Sequence, residues 1–197
     1  MKKIVLVITF LFLLSSHNAT IAKEPVSVPG KDYRNSLKIT FLSWISGSTK
    51  ISYERAFSNI RQSGELCTSL IGAGHDKYDN DPKGFTMRYG HKFFLNVNPK
   101  LSLMGFYLRP EIVYSRYSYD RQADGLRTLS NETAFLGTAG YQYLYKRFLV
   151  DFWVGGGYAF GVPAETYYHH GFELWHFFNT ENTNIALSFS IRLGFCF

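Results

Sequence analysis

The densest collection of chemistry-bearing side chains in this 197-residue sequence lies between Glu165 and His176, where Thr166, His169, His170, Glu173 and His176 fall close together. Imidazole and carboxylate groups bind zinc when three or four of them converge on one ion, and a histidine beside a hydroxyl is the pair on which acyl hydrolysis depends. Neither pattern is met. No HExxH spacing sets two histidines on one helical face, and nothing in the surrounding sequence fixes this stretch to a regular element. Its other members are large rings: Tyr167, Tyr168, Trp175, Phe177 and Phe178. A loop so rich in aromatic groups is expected to fold over a neighbouring surface, dip into lipid or meet a partner, which makes these five the candidate surface-interaction residues. Walker, dinucleotide-binding and CxxC motifs do not occur. The expectation is a protein with no catalytic, metal or cofactor site.

A second set of ionisable residues is dispersed: Glu54, Glu65, Arg88, Lys92, Arg109, Glu111, Asp151 and Arg192. What they share is parity, since each stands across an extended segment from large apolar residues. The C-terminal run makes the pattern plain. Ile185, Leu187, Phe189, Ile191, Leu193, Phe195 and Phe197 alternate with Ala186, Ser188, Ser190, Arg192, Gly194 and Cys196. A period of two marks a β-strand. Similar runs at 36–46, 50–57, 62–73, 84–95, 101–117, 133–145 and 148–160 bring the number to eight, and after residue 30 no apolar 3.6-residue period is sustained over a helix length.

Alternation alone does not say which face is inside. In a soluble sandwich or lipocalin-like barrel the large side chains form the core; in a membrane barrel they meet lipid and the small face lines a narrow lumen. Strand number and length favour the membrane, since eight is even and most runs reach the roughly 9 to 11 residues that cross a bilayer obliquely. Connection lengths agree. Turns at 58–61, 96–100 and 146–147 are short and share one end, whereas those at 47–49, 74–83, 118–132 and 161–182 share the other, and the last three are long. The expected fold class is all-β: a closed antiparallel eight-stranded transmembrane β-barrel of up-and-down topology. Its lumen should be filled by the eight charges in mutual pairs, without a large pore, because unpaired charge in a narrow dry interior is very costly. Pro110 cannot donate a ladder bond and predicts a bulge or local irregularity. Arg55 and His91 fall on the lipid-facing parity, which implies an interfacial position or a register shift. Tyr107, Tyr114, Tyr117, Tyr119, Tyr141, Tyr143 and Tyr145 are expected in headgroup belts.

Composition bounds the rest. Residues 1–22 combine Lys2 and Lys3 with an apolar stretch from Ile4 to Leu14 and a small residue at Ala22, the order of parts in a secretory signal peptide. Residues 23–35, with Pro25, Pro29 and Gly30, read as a flexible leader, and 36–197 as the barrel. Without the leader peptide 19 Lys and Arg face 15 Asp and Glu. That excess is small and unclustered, so no nucleic-acid partner is expected. Cys67 and Cys196 are open to a single bridge or to two independent small side chains.

The segments SLKITFLSWISGSTKISYERAFS (36–58), FYLRPEIVYSRY (106–117) and SFSIRLGFCF (188–197) resemble the small outer-membrane β-barrel proteins of Bacteroidetes-type bacteria, a largely uncharacterised group. The resemblance implies an outer-membrane location, with short turns in the periplasm and long loops outside the cell. It matches the family's tyrosine-glutamate step at Tyr53 and Glu54 and its fifth-strand Tyr107 and Pro110. It also implies recognition of the final aromatic residue, Phe197, by the barrel-assembly machinery, with outer-membrane lipid and lipopolysaccharide as surroundings and an unidentified surface ligand for the outer loops. The functional expectation is a structural or surface-interaction barrel. Two alternatives stay open: a lipid A-modifying enzyme, although the strand-borne His-x-Ser of lipid A deacylase barrels does not occur, and a soluble periplasmic carrier.

Overall fold

The computed structural model describes residues 33–41, 43–58, 61–75, 79, 81–95, 102–121, 124–161 and 184–197. The signal segment 1–22, the leader up to residue 32 and the ring-rich stretch with Tyr167, Tyr168, Trp175, Phe177 and Phe178 lie outside these residues. From the N-terminal side the chain forms β1 (Asn35–Thr40), a 3-10 turn (Ser43–Ser46), β2 (Ser48–Ala56), β3 (Gln62–Ile71) and β4 (Lys83–Phe94). It continues with β5 (Gly105–Asp120), β6 (Arg127–Tyr145), β7 (Phe148–Phe160) and β8 (Ile185–Cys196). Each strand pairs with its sequence neighbour, and β1 pairs antiparallel with β8, so the sheet closes into an eight-stranded up-and-down barrel.

The registers set the shape. Starting at Ser36, the partners run Glu54, Glu65, Gly90, Glu111, Leu136, Gly157 and Ala186. Ser36 itself pairs with Cys196, ten residues beyond Ala186 along β8. A stagger of ten over eight strands tilts them by about 40° to the barrel axis and leaves an interior that side chains fill.

Burial alternates along the strands, with a break at the glycine run 155–157 on β7. Leu37, Ile39, Phe85, Met87, Phe106, Leu108, Phe135, Phe152, Phe189 and Ile191 all face outward and are exposed. Ser36, Glu54, Ser115, Ala134, Asp151 and Ser188 face inward and are fully buried. The polarity is that of a transmembrane barrel and the inverse of a soluble carrier, which needs its large side chains inside. The carrier alternative is thereby overturned.

Several boundaries differ from the sequence expectation. The first run ends at Thr40 and not at residue 46; the chain turns through Ser43–Ser46 and leaves by Gly47 at a φ of 78°. The segment 118–132, read as a loop, is mostly ladder. β5 and β6 pair as far as Asp120 and Arg127, six residues past the last β6 pairing with β7 and two past the last β5 pairing with β4, so a hairpin projects from the barrel on the β7 side. Its outer face carries Ser118, Asp120, Arg127, Leu129 and Asn131. Leu129 is the one large apolar side chain among these five, so the apolar half of the alternation is too thin there to read as a strand. At its tip the Arg121 amide donates to Leu126 O at 3.1 Å, and Asp124 accepts from the Leu126 amide and from Arg121, which hold its carboxyl below the usual range. The barrel begins one residue earlier than expected, at Asn35. β5 begins at Gly105, since Leu103 turns inward and is fully buried with Ala56, Leu144, Leu149 and Cys196, and Met104 packs against them.

At Pro110 the ladder is interrupted without a bulge. Gly90 pairs with Glu111 and Phe93 with Leu108 in one unbroken register, and His91 and Lys92 lack registered partners between them. On its other edge Pro110 stays paired with Gly137.

Gly140, between Tyr107 on β5 and Trp153 on β7, is required by close approach. A Cβ there would stand 2.4 Å from Phe152 O and 2.5 Å from the Tyr107 hydroxyl. At Gly137, on the outer face, a Cβ meets nothing within 4 Å. Gly140→Val should therefore cost about 2–3 kcal/mol or prevent folding, while Gly137→Ala should stay within about 0.5 kcal/mol of wild type. Urea unfolding in detergent micelles, followed by tryptophan fluorescence, measures both; equal effects would refute the inward placement of residue 140.

Candidate functional site

The principal constellation is a charge cluster in the lumen near the end that carries the described termini. Its members come from strands all round the barrel: Lys38 on β1, Glu54 on β2, Glu65 on β3, Lys92 on β4, Gln142 on β6 and Asp151 on β7. All six are buried. The Lys38 Nζ donates to Glu54 Oε2 and Glu65 Oε2, each at 2.5 Å, and to Asp151 Oδ2 at 2.9 Å, which uses its three protons on three carboxylates. Lys92 Nζ meets the same oxygens from the other side, at 2.7 Å for Asp151, 3.0 Å for Glu65 and 3.3 Å for Glu54. It also donates to Gln142 Oε1 at 2.6 Å and sits 4.4 Å from the centre of the Tyr107 ring. Two ammonium groups are thus held between three carboxylates.

The remaining lone pairs are taken up by neutral donors. Ser63 Oγ donates to Glu54 Oε1, Gln142 Nε2 to Glu54 Oε2 at 3.2 Å, and the Tyr107 hydroxyl to Asp151 Oδ1 at 2.6 Å. Toward the middle of the barrel the guanidinium groups take over. Arg109 contacts Glu111 through Nε at 2.7 Å and Nη2 at 2.6 Å, and Glu65 through Nη1 at 3.4 Å. Arg192 pairs with Glu65, and Arg88 approaches Glu111 at 3.4 Å. The indole of Trp153 carries the Arg109 and Arg192 guanidinium carbons at 4.7 and 4.3 Å from its ring, and its Nε1 donates to Ser188 at 3.2 Å. Cations over an aromatic face are attracted by the ring's quadrupole, and arginine takes this role more often than lysine.

All eight charged residues predicted for the lumen are buried there. Lys38, the central cation, was missed, although it alternates with Leu37 and Ile39 and its parity was readable, as was that of buried Lys50; buried Glu132 was missed because 118–132 read as a connection. The belt assignment of Tyr107, Tyr117 and Tyr119 is corrected. Their parity is inward and they are almost fully buried, with Tyr117 donating to Glu132 and packing beside Ile71 and Tyr119 under the projecting hairpin. Tyr114, Tyr143 and Tyr145 do face outward, and Tyr141 is half-buried on the same side.

Arg55 is exposed at the end of β2, and no register shift occurs there or at His91. His91 lies near the same end, half-buried, 3.2 Å from Gln62 Oε1 and between the rings of Phe57 and Phe93. Cys67 and Cys196 are buried and are not joined to each other by a disulfide. Phe197 follows β8, exposed on the lipid-facing parity, with its amide donating to Asn35 O at 2.9 Å.

Oxygens of Glu54, Glu65 and Asp151 lie within 4.8 Å of one another, a spacing that suits a cation. The two lysine ammonium groups supply that positive charge. The arrangement joins β1, β2, β3, β4 and β7 across the lumen, leaving a barrel with a filled interior and no open pore.

Comparison with known proteins finds no match among protein-family models, curated proteins or solved structures.

Because breaking a buried ion pair strands its partner, Asp151→Ala should destabilise the barrel by about 3–5 kcal/mol. Arg121→Gln, which opens an exposed ion pair with Asp124, should leave the unfolding midpoint unchanged within error. A midpoint for Asp151→Ala close to wild type in urea titrations would show that the cluster does not hold the strands together.

Proposed function

We propose that this chain is an outer-membrane protein acting as a structural or surface-interaction barrel, and that it belongs with the small outer-membrane barrels of Bacteroidetes-type bacteria. In this reading the turns at the end with the described termini lie in the periplasm, and the β5–β6 hairpin with the longer connections lies outside the cell. The observation that carries it is the pairing, in one chain, of a lipid-facing aromatic and aliphatic exterior with a lumen closed by mutually neutralising charges. A barrel closed in that way offers no passage to solutes, so its work falls to what it presents at its ends. Sequence features support the same reading: the signal-like segment 1–22 and the exposed Phe197 suited to recognition by the barrel-assembly machinery. Lipopolysaccharide and outer-membrane lipid are the expected surroundings, and a ligand of the outer connections the expected partner.

The test is fractionation joined to labelling. The protein should appear in outer membranes, shift on SDS gels when boiled, and carry no steady conductance in planar bilayers. In intact cells a membrane-impermeant maleimide should label Leu126→Cys at the hairpin tip and spare Lys146→Cys; the native cysteines are buried and stay silent. Labelling of residue 146 alone would reverse the orientation. A soluble, heat-unmodified protein would end the reading.

A further inference from the structure

The two ends of the barrel differ in exposed charge. At the hairpin end Lys83, Arg116, Arg121 and Arg127 are matched by Asp79, Asp81, Asp120 and Asp124. Several of these are paired, as in Lys83 with Asp81 at 2.8 Å and Arg127 with Asp120 at 3.0 Å. The other end exposes Arg34, Arg55, Arg61, Lys146 and Arg147 and, among the described residues, no carboxylate side chain. Among the described residues, the acids of the adjoining strands, Glu54, Glu65 and Asp151, are buried and committed to the lumen cluster.

These cations stand where an apolar surface stops. On the outer face of β2, Arg55 lies between Tyr53 and Phe57, both exposed. Arg34 and Arg55 flank a cleft of about 260 Å³ whose remaining walls are Asn35, Ala56, Phe57 and Ser58. Across β6 and β7, Lys146 lies over the exposed Tyr145 ring at 5.5 Å, and Arg147 lies 5.7 Å from the Phe195 ring and donates to the Tyr33 hydroxyl at 3.2 Å. Long cationic side chains rooted among lipid-facing rings extend their heads to the headgroup level, where phosphate is the available counter-charge.

We propose that this end of the barrel is a binding surface for the phosphate of anionic glycerophospholipids in the adjacent leaflet, with the Arg34 and Arg55 cleft as its principal seat and Lys146 and Arg147 as a second contact. The proposal rests on the membrane reading but not on which end faces the periplasm. Its occupant is a lipid and not a soluble anion because Tyr53, Phe57, Tyr145 and Phe195 border the cations on the side where acyl chains run. Binding would tie β1 to β2 and β6 to β7 at the rim through a shared headgroup.

The test uses the full mature chain refolded into phosphatidylcholine vesicles containing spin-labelled phosphatidylglycerol or spin-labelled phosphatidylcholine. Wild type should favour the anionic lipid over the zwitterionic one by about three- to tenfold at low salt, with the preference falling as salt screens it. The Arg34→Gln, Arg55→Gln, Arg147→Gln variant should bring the ratio near one while keeping its heat shift on gels. Lys83→Gln with Arg116→Gln, at the hairpin end, should leave the ratio as in wild type. A folded wild type without preference, a preference that survives the triple variant, or one that disappears in the hairpin-end variant overturns the proposal. Failure to insert into vesicles at all would instead sink the membrane reading on which it stands.

Discussion

A peptide group in hydrocarbon has no water to bond, so each N–H and C=O in a spanning segment must find a partner within the protein. For strands that requirement is met only by closure, and here closure depends on the pairing of β1 with β8. β1 is the shortest strand, with six residues, yet it carries ladders on both sides. It also contributes Lys38, whose ammonium touches carboxylates from β2, β3 and β7. The strand with the least backbone to offer thus carries a side chain that reaches three other strands, and the seam is closed twice, by its ladder and by its charge.

Closure fixes everything on the two faces. With period two on a shared register, any residue that faces lipid has neighbours in the chain that face the lumen, and the narrow interior selects what those can be. Glycine and alanine give room where long side chains cross, as at Gly140, where the Tyr107 hydroxyl passes to Asp151. Charges are tolerated because they arrive together. Each carboxylate of the cluster would be costly alone in a dry interior, and each is surrounded by ammonium, guanidinium, amide or hydroxyl donors. Apolar groups close both ends of this polar filling: Leu103, Leu144 and Leu149 at one end, and Ile71, Tyr117 and Tyr119 at the other.

The ends are where the barrel departs from uniform rules. β5 and β6, at 16 and 19 residues, are longer than crossing a bilayer requires and continue as a paired hairpin. Its exposed Leu126 and Leu129 stand among balanced charges. The opposite end is short, aromatic and basic. A membrane protein with a filled lumen has only its rims and outer surface with which to meet other molecules, and these two rims are chemically unlike.

The sequence by itself determined the strands, their number and the side of each to which a residue belongs, because side-chain direction in a strand is a local property of the backbone. It placed Glu54, Glu65, Arg88, Lys92, Arg109, Glu111, Asp151 and Arg192 on one face before any contact was known. Parity would have added Lys38 and Lys50 and kept Tyr107 and Tyr117 out of the headgroup belts; Tyr119 and Glu132 lay in a segment that did not read as strand. Only the tertiary structure decided which charges meet, since Lys38 and Asp151 are brought together by the stagger of the closed sheet and not by spacing along the chain. It alone decided where ladders end as well. At residues 118–132 the limit came from pairing between neighbouring strands, which is not written in the alternation of a single strand.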